Sequence, residues 1–259
     1  MDYQAPPVIR QHKAAGRKYD IIIPLDHTRP ENIYSVPDYR GGNTFRGARA
    51  TGADGRERVH QDPAAVLLER ELESRGLNVR VITPEEFGNY DDYDRFISLH
   101  SNSGTKVIPI HFDAKVGQGG VGFLTRVRRG DVGDRMLAGS IDAALREFQE
   151  DNPELGNYRT TDTVPNATVN AARFGPATLV EMGAMVQWES AYGEDFTETK
   201  KFHEFIDILA DGIVKGAGIK LDLTPPTGWM PPVTEKKDSL KITEDWISWI
   251  PKNWSSFVW

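Results

Sequence analysis

The sequence predicts one α/β domain, a mixed or mostly parallel sheet flanked by helices on both faces. Three observations lead there. Short apolar runs, too brief for helices, recur along the chain. Segments with helical apolar spacing separate them, the alternation expected when helices cover a sheet. The chain is also long enough, at 259 residues and 39% hydrophobic, to bury a core without disulfides or a structural metal.

The elements follow in order. Tyr19 to Leu25 contains Ile21-Ile22-Ile23 and reads as a buried strand. Residues 28–56 hold Pro30, Pro37, Gly41, Gly42, Gly47, Gly52 and Gly55 and read as a long loop of the functional or mobile kind. Asp62-Pro63 opens a helix, since Asp is a good N-cap and Pro is tolerated in the first turn; Val66, Leu67, Leu68 and Leu72 follow, and Gly76 stops it. Leu77–Thr83, Arg95–Leu99, Gly120–Val127 and Ala177–Met182 read as strands. Arg135–Phe148 and Lys200–Lys215 read as helices with one apolar side.

Composition removes several function classes. With no cysteine there is no disulfide framework, thiolate metal site or cysteine nucleophile. Asp and Glu total 38 against 31 Lys and Arg, for a formal charge of −7, the opposite of the balance a duplex nucleic-acid binder needs. No run of about 18 apolar residues is present, so no membrane insertion is expected. Residues 1–18 read as a polar leader without the apolar stretch of a signal peptide, which predicts synthesis in a cytoplasm. Residues 222–259 form a Pro-rich tail that carries every tryptophan except Trp188. It either packs on the domain through its aromatics or serves as a contact surface for a partner, a wall or a membrane interface. The expected catalytic domain is 19–221.

Four side chains stand at predicted element ends, where open α/β sheets place their chemistry. His27 follows the first strand, His100 closes Phe96-Ile97-Ser98-Leu99-His100, Glu57 precedes the first helix, and Glu181 follows Ala177-Thr178-Leu179-Val180. An ionised Glu beside such an apolar run is costly unless paired. Two His and two Glu at one sheet edge suit a zinc site: three ligands with an open position, and a carboxylate to move protons.

The ordered set resembles the zinc-dependent N-acetylmuramoyl-L-alanine amidases of the amidase-3 type, including phage endolysins. Ile22-Ile23-Pro24-Leu25-Asp26-His27 stands where that family has a strand ending in an Asp-Pro-Gly-His motif. Glu57 lies at the family's usual distance ahead of Gly76 and the next strand. Phe96-Ile97-Ser98-Leu99-His100-Ser101-Asn102 matches Phe-Ile-Ser-Ile-His-Ala-Asn, and Leu179-Val180-Glu181-Met182-Gly183 matches Leu-Val-Glu-Xaa-Gly. The resemblance implies Zn²⁺ held by His27, Glu57 and His100, with Glu181 as catalytic carboxylate. It implies peptidoglycan as substrate, cut between N-acetylmuramic acid and L-alanine, and host-wall lysis after a phage-induced opening of the membrane. A zinc carboxypeptidase or other amidohydrolase, and a non-catalytic wall-binding protein, are the alternatives.

Pro63 falls within what is continuous helix in that family, and His60 is then the alternative second ligand. Asn102, His111 and Asn166 are the candidate substrate-binding residues. His111, in Pro109-Ile110-His111-Phe112, either lines the cleft and polarises the carbonyl or is structural. The polar loop 159–166 suits a cleft wall.

Overall fold

A computed structural model describes residues 19–27, 57–101, 104–113, 122–159, 163 and 166–218. The leader, the loop of residues 28–56, Asn102 and the Trp-rich tail lie outside the described residues. In chain order the elements are β1 (Ile21–Pro24), α1 (Glu57–Ser74), β2 (Val79–Ile82), α2 (Pro84–Phe87) and α3 (Tyr90–His100). Then come β3 (Lys106–Val107), β4 (Ile110–Asp113), β5 (Phe123–Arg126), α4 (Val132–Asp151) and α5 (Ala167–Ala171). β6 (Leu179–Ala184), α6 (Met185–Tyr192) and α7 (Lys200–Ala217) complete the set.

The strands form two triplets, β2-β1-β3 and β4-β6-β5, with every pairing parallel except β5 with β6. Hydrogen bonds carry the ladder from one triplet to the other. The Ile108 N–H donates to Ile22 C=O, and the N–H groups of Thr178 and Val180 donate to the carbonyls of Val107 and Pro109. Residues 106–113 are therefore one central run between β1 and β6, interrupted at Pro109, which has no N–H to give.

Both faces of this sheet are covered. Ile21 and Ile23 point into a core built with Ala64, Leu68 and Leu72 of α1, Leu137, Ile141 and Leu145 of α4, and Phe205, Leu209 and Ile213 of α7. Ile22 points the other way, to Tyr90, Tyr93 and Ile97 of α3 and Val169 of α5. That alternation is the two-residue period of a strand buried on both sides. Among the described residues no helix is long and apolar enough to cross a membrane.

Two expected elements come out differently. Arg95–Leu99 is not a strand but the second half of helix α3, which Asn89 caps by accepting from the Asp92 N–H at 2.7 Å. Asp91 and Asp92 occupy its first turn, where negative charge complements the helix dipole. The first helix does not open at Asp62-Pro63; it already runs from Glu57, with Pro63 inside it. The carbonyl left without a helical donor is that of Val59, on the exposed side of α1, where water can serve it.

Gly183, near the end of β6, has φ +96°, and a Cβ there would stand 2.7 Å from Trp188 Nε1 and 3.0 Å from Phe123 Cζ. Trp188 is fully buried among Phe148, Phe196 and Phe205, and its indole donates to Met182 C=O at 2.8 Å. Gly183→Ala is expected to cost about 2–4 kcal/mol, from backbone strain and overpacking together, read from the midpoint of urea unfolding.

Candidate metal centre

Where β1 stops, α1 takes over its role beside the central strand. The Ile110 C=O accepts from Gln61 Nε2 at 2.9 Å, and the Phe112 N–H donates to Glu57 Oε1 at 3.0 Å. Gln61 also donates to Glu57 Oε1 at 2.9 Å. Two side chains of one helix turn thus supply partners that a longer β1 would have supplied. The second carboxylate oxygen of Glu57 is left to face His27.

His27 Nε2 lies 3.0 Å from Glu57 Oε2, and His111 Nδ1 lies 2.9 Å from Glu57 Oε1. The two imidazoles meet edge to face, with ring centroids 4.9 Å apart. All three residues are buried, and their ligand atoms lie within 4.8 Å of one another. From α1, the Arg58 guanidinium donates to the main-chain carbonyl of His27 and pairs with Asp62 at 2.6 Å and Glu85 at 3.2 Å. His27 is thereby held by its backbone as well as its ring.

Glu181 enters from the adjoining strand. It is the register partner of His111 across the β4–β6 pair, so both side chains leave the same face. Arg126 of β5 places Nε 3.3 Å from Glu181 Oε1. Burial raises the Glu181 pKa, and the neighbouring Glu57 adds to that, while His111 and Arg126 pull it down; the net direction is up. Glu57 behaves in the opposite way: its own burial raises it, but the two histidines outweigh this and hold it far below the usual carboxylate range. For His111, burial favours the neutral ring, and the carboxylates of Glu57 and Asp26 more than reverse that, leaving its pKa well above the ordinary histidine value.

No family model and no curated protein matches this sequence. The fold, however, is similar to solved structures. The N-acetylmuramyl-L-alanine amidase Ami1 from Mycobacterium smegmatis superposes with a TM-score of 0.52 at 18% identity, over 76% of this chain and 96% of that one. The chain has the fold of that amidase. An N-acetylmuramoyl-L-alanine amidase from Clostridium difficile 630 gives a TM-score of 0.49 at 18% identity, over 77% of this chain and 95% of that one. The catalytic domain of the CD27L endolysin targeting Clostridia Difficile gives 0.49 at 20% identity, over 76% and 97%.

Within this amidase fold the structure brings together His27, Glu57 and Glu181 as the sequence suggests, and adds His111. It does not bring His100 to them. Helix α3 runs back along β1: its first residue, Tyr90, donates to the Asp26 C=O at 2.9 Å, whereas the His100 ring, at its last, lies against Tyr19 and Phe96. Tyr19 and His27 stand at opposite ends of the β1 segment, a separation of up to about 26 Å at about 3.3 Å per extended residue. His111 is neither a structural histidine remote from the site nor confined to the cleft wall; it belongs to the metal-competent group. His60 is not in that group; it lies 3.1 Å from Glu189 Oε1 and against the Phe196 ring. Asn166 caps α5 by accepting from the Val169 N–H at 2.9 Å, a structural duty for its side-chain oxygen.

The donor set fits a borderline metal such as zinc, which takes imidazole nitrogen and carboxylate oxygen. Without metal, the carboxylates of Glu57 and Asp26 favour the protonated form of His111, and the two histidines favour ionised Glu57. Metal uptake must expel that proton, so affinity is expected to fall as pH is lowered from neutrality, by up to about tenfold per pH unit. Calorimetric titration with zinc in buffers of different ionisation enthalpy would show close to one proton released per metal. A pH-independent affinity would mean that no proton leaves His111 when the metal binds.

Proposed function

We propose that this chain is a zinc-dependent N-acetylmuramoyl-L-alanine amidase that hydrolyses the bond between the lactyl group of N-acetylmuramic acid and L-alanine in peptidoglycan. One observation supports this reading above the others: the buried His27–Glu57–His111 group stands beside the buried carboxylate Glu181, the register partner of His111 on the same face of the sheet. A zinc ion in that group supplies Lewis acidity, polarising an amide carbonyl and making a water acidic enough to attack at neutral pH.

The remaining work falls to side chains. Glu181 takes a proton from the attacking water as the oxygen–carbon bond forms. It returns that proton to the departing nitrogen as the carbon–nitrogen bond breaks, so L-alanine leaves as a neutral amine. A raised pKa suits both halves of the task, because the same carboxyl must accept and then release a proton. Arg126 beside Glu181 Oε1 holds that oxygen in place and leaves Oε2 for the transfer. His27, Glu57 and His111 take the ligand roles, with their orientation fixed by Arg58, Gln61 and the Phe112 N–H. Action at a bacterial wall, in the manner of an endolysin, belongs to this same proposal.

Digestion of purified peptidoglycan with and without EDTA tests the reading. The expected products are free stem peptides with an L-alanine amino terminus, absent under chelation and restored by added Zn²⁺. New amino termini inside the stem would instead indicate a peptidase. Full digestion by metal-stripped protein would reject the metal reading.

A further inference from the structure

Asp26 is a buried carboxylate directly before His27 in sequence, and every described partner of its side chain is polar. Tyr93 Oη donates to Oδ1 at 3.3 Å, and Thr168 Oγ1 donates to the same oxygen. The other oxygen, Oδ2, lies 3.2 Å from His111 Nε2. The Tyr93 and Thr168 hydroxyls come from α3 and α5, the two helices on the face of the sheet away from α1. One imidazole is thus gripped from both sides: Asp26 on Nε2, and Glu57 on Nδ1 at 2.9 Å.

We propose that Asp26 is a positioning residue for the metal centre: by accepting the Nε2 proton of His111 it fixes the tautomer that presents a bare Nδ1 to the ion. The proposal rests on the metal reading above. A neutral imidazole carries one proton, and the nitrogen bearing it cannot be a ligand. A carboxylate only accepts, so it selects the tautomer protonated on the side it faces. Carboxylate partners of this kind orient ligand histidines and increase their basicity. The two hydroxyls give Asp26 its own fixed orientation, since both donate to Oδ1 and leave Oδ2 turned toward His111.

The same geometry makes Asp26→Asn more informative than a deletion. The hydroxyls of Tyr93 and Thr168 hold the amide oxygen at the Oδ1 position, so the amide NH₂ faces His111 Nε2. That NH₂ donates, which favours a bare Nε2 and puts the imidazole proton on Nδ1, the metal side. Zinc affinity, measured by competition with a chromogenic chelator, is expected to fall roughly 10–100-fold in Asp26→Asn. Two-bond ¹H–¹⁵N spectra of the zinc-loaded wild type are expected to show His111 protonated at Nε2 and bare at Nδ1.

If Asp26→Asn does not fold, Tyr93→Phe combined with Thr168→Val leaves the carboxylate in place but frees its orientation. Zinc affinity should then drop about three- to tenfold, the size of a lost hydrogen bond or two. Unchanged zinc affinity in a folded Asp26→Asn or in the double variant, or a wild-type His111 that is protonated at Nδ1 with zinc bound, overturns the positioning role while leaving the metal centre intact. Wild-type protein that takes up no zinc overturns the metal reading, and this inference with it.

Discussion

His111→Ala is expected to lose zinc and amide hydrolysis together, while His100→Ala keeps both. The contrast is sharp because both histidines end a similar stretch of sequence. Removing His111 leaves two ligand residues, and a site of His27 and Glu57 alone is too poor to retain zinc through dialysis. It also takes away the ring that most strongly holds Glu57 ionised. Metal content by mass spectrometry should fall from one zinc per chain to a trace, and peptidoglycan clearing should fall to background. His100 lies at the far end of α3 against Tyr19 and Phe96, so its loss is a matter of local packing. Zinc retained in the His111 variant and lost in the His100 variant would restore the assignment that the sequence motif suggests.

Glu181→Gln carries the second large effect, and here chemistry should separate from metal binding. The amide keeps the size of the side chain and can still face Arg126 through its oxygen, but it cannot accept a proton. Turnover is expected to fall about 10²–10⁴-fold, the contribution of a positioned general acid–base group. Zinc content should be unchanged, because Glu181 is outside the group whose ligand atoms converge. The wild-type acidic limb of the pH–rate profile should disappear, since activity there rises as Glu181 gives up its proton. Loss of zinc along with activity would make Glu181 a ligand, and near-normal turnover with zinc retained would make it a structural carboxylate.

Much of this was legible in the sequence wherever one local rule governed. Ile21-Ile22-Ile23, the run before Glu181 and the apolar stripe of Lys200–Lys215 each have a single period, and each became the expected element. The place of His111 beside His27 and Glu57 was hidden by two competing patterns. Phe96-Ile97-Ser98-Leu99-His100 and Val107-Ile108-Pro109-Ile110-His111 both alternate apolar residues before a histidine. The first is helical, as Tyr90, Tyr93 and Ile97 already indicate by their spacing of three and four with Asn89 as a cap, and Leu99 is 72% exposed. The second contains a proline, ordinarily a sign against a central strand, and here the ladder survives because Pro109 contributes only its carbonyl. A proline misled at α1 as well, since Pro63 sits where its missing donor costs little. Asp26 has no motif of its own; its role depends on residues from α3, β4 and α5 that only the fold assembles.

The central run of residues 106–113 has a consequence for how the chain acquires its structure. It pairs with a strand that precedes it and with another that follows it, both in parallel, and such non-local parallel pairings close slowly. Side chains around His111 reach across 85 residues to Asp26, and Asp26 across 142 to Thr168. During synthesis β1, α1 and β2 can gather early, but the strand carrying His111 has one edge unsatisfied until β6 emerges from the ribosome. Nascent chains cut short before Leu179 therefore lack both Glu181 and the partner that holds His111 in register. The central run and the side chains at its edge are therefore completed late and together, once β6 has been made.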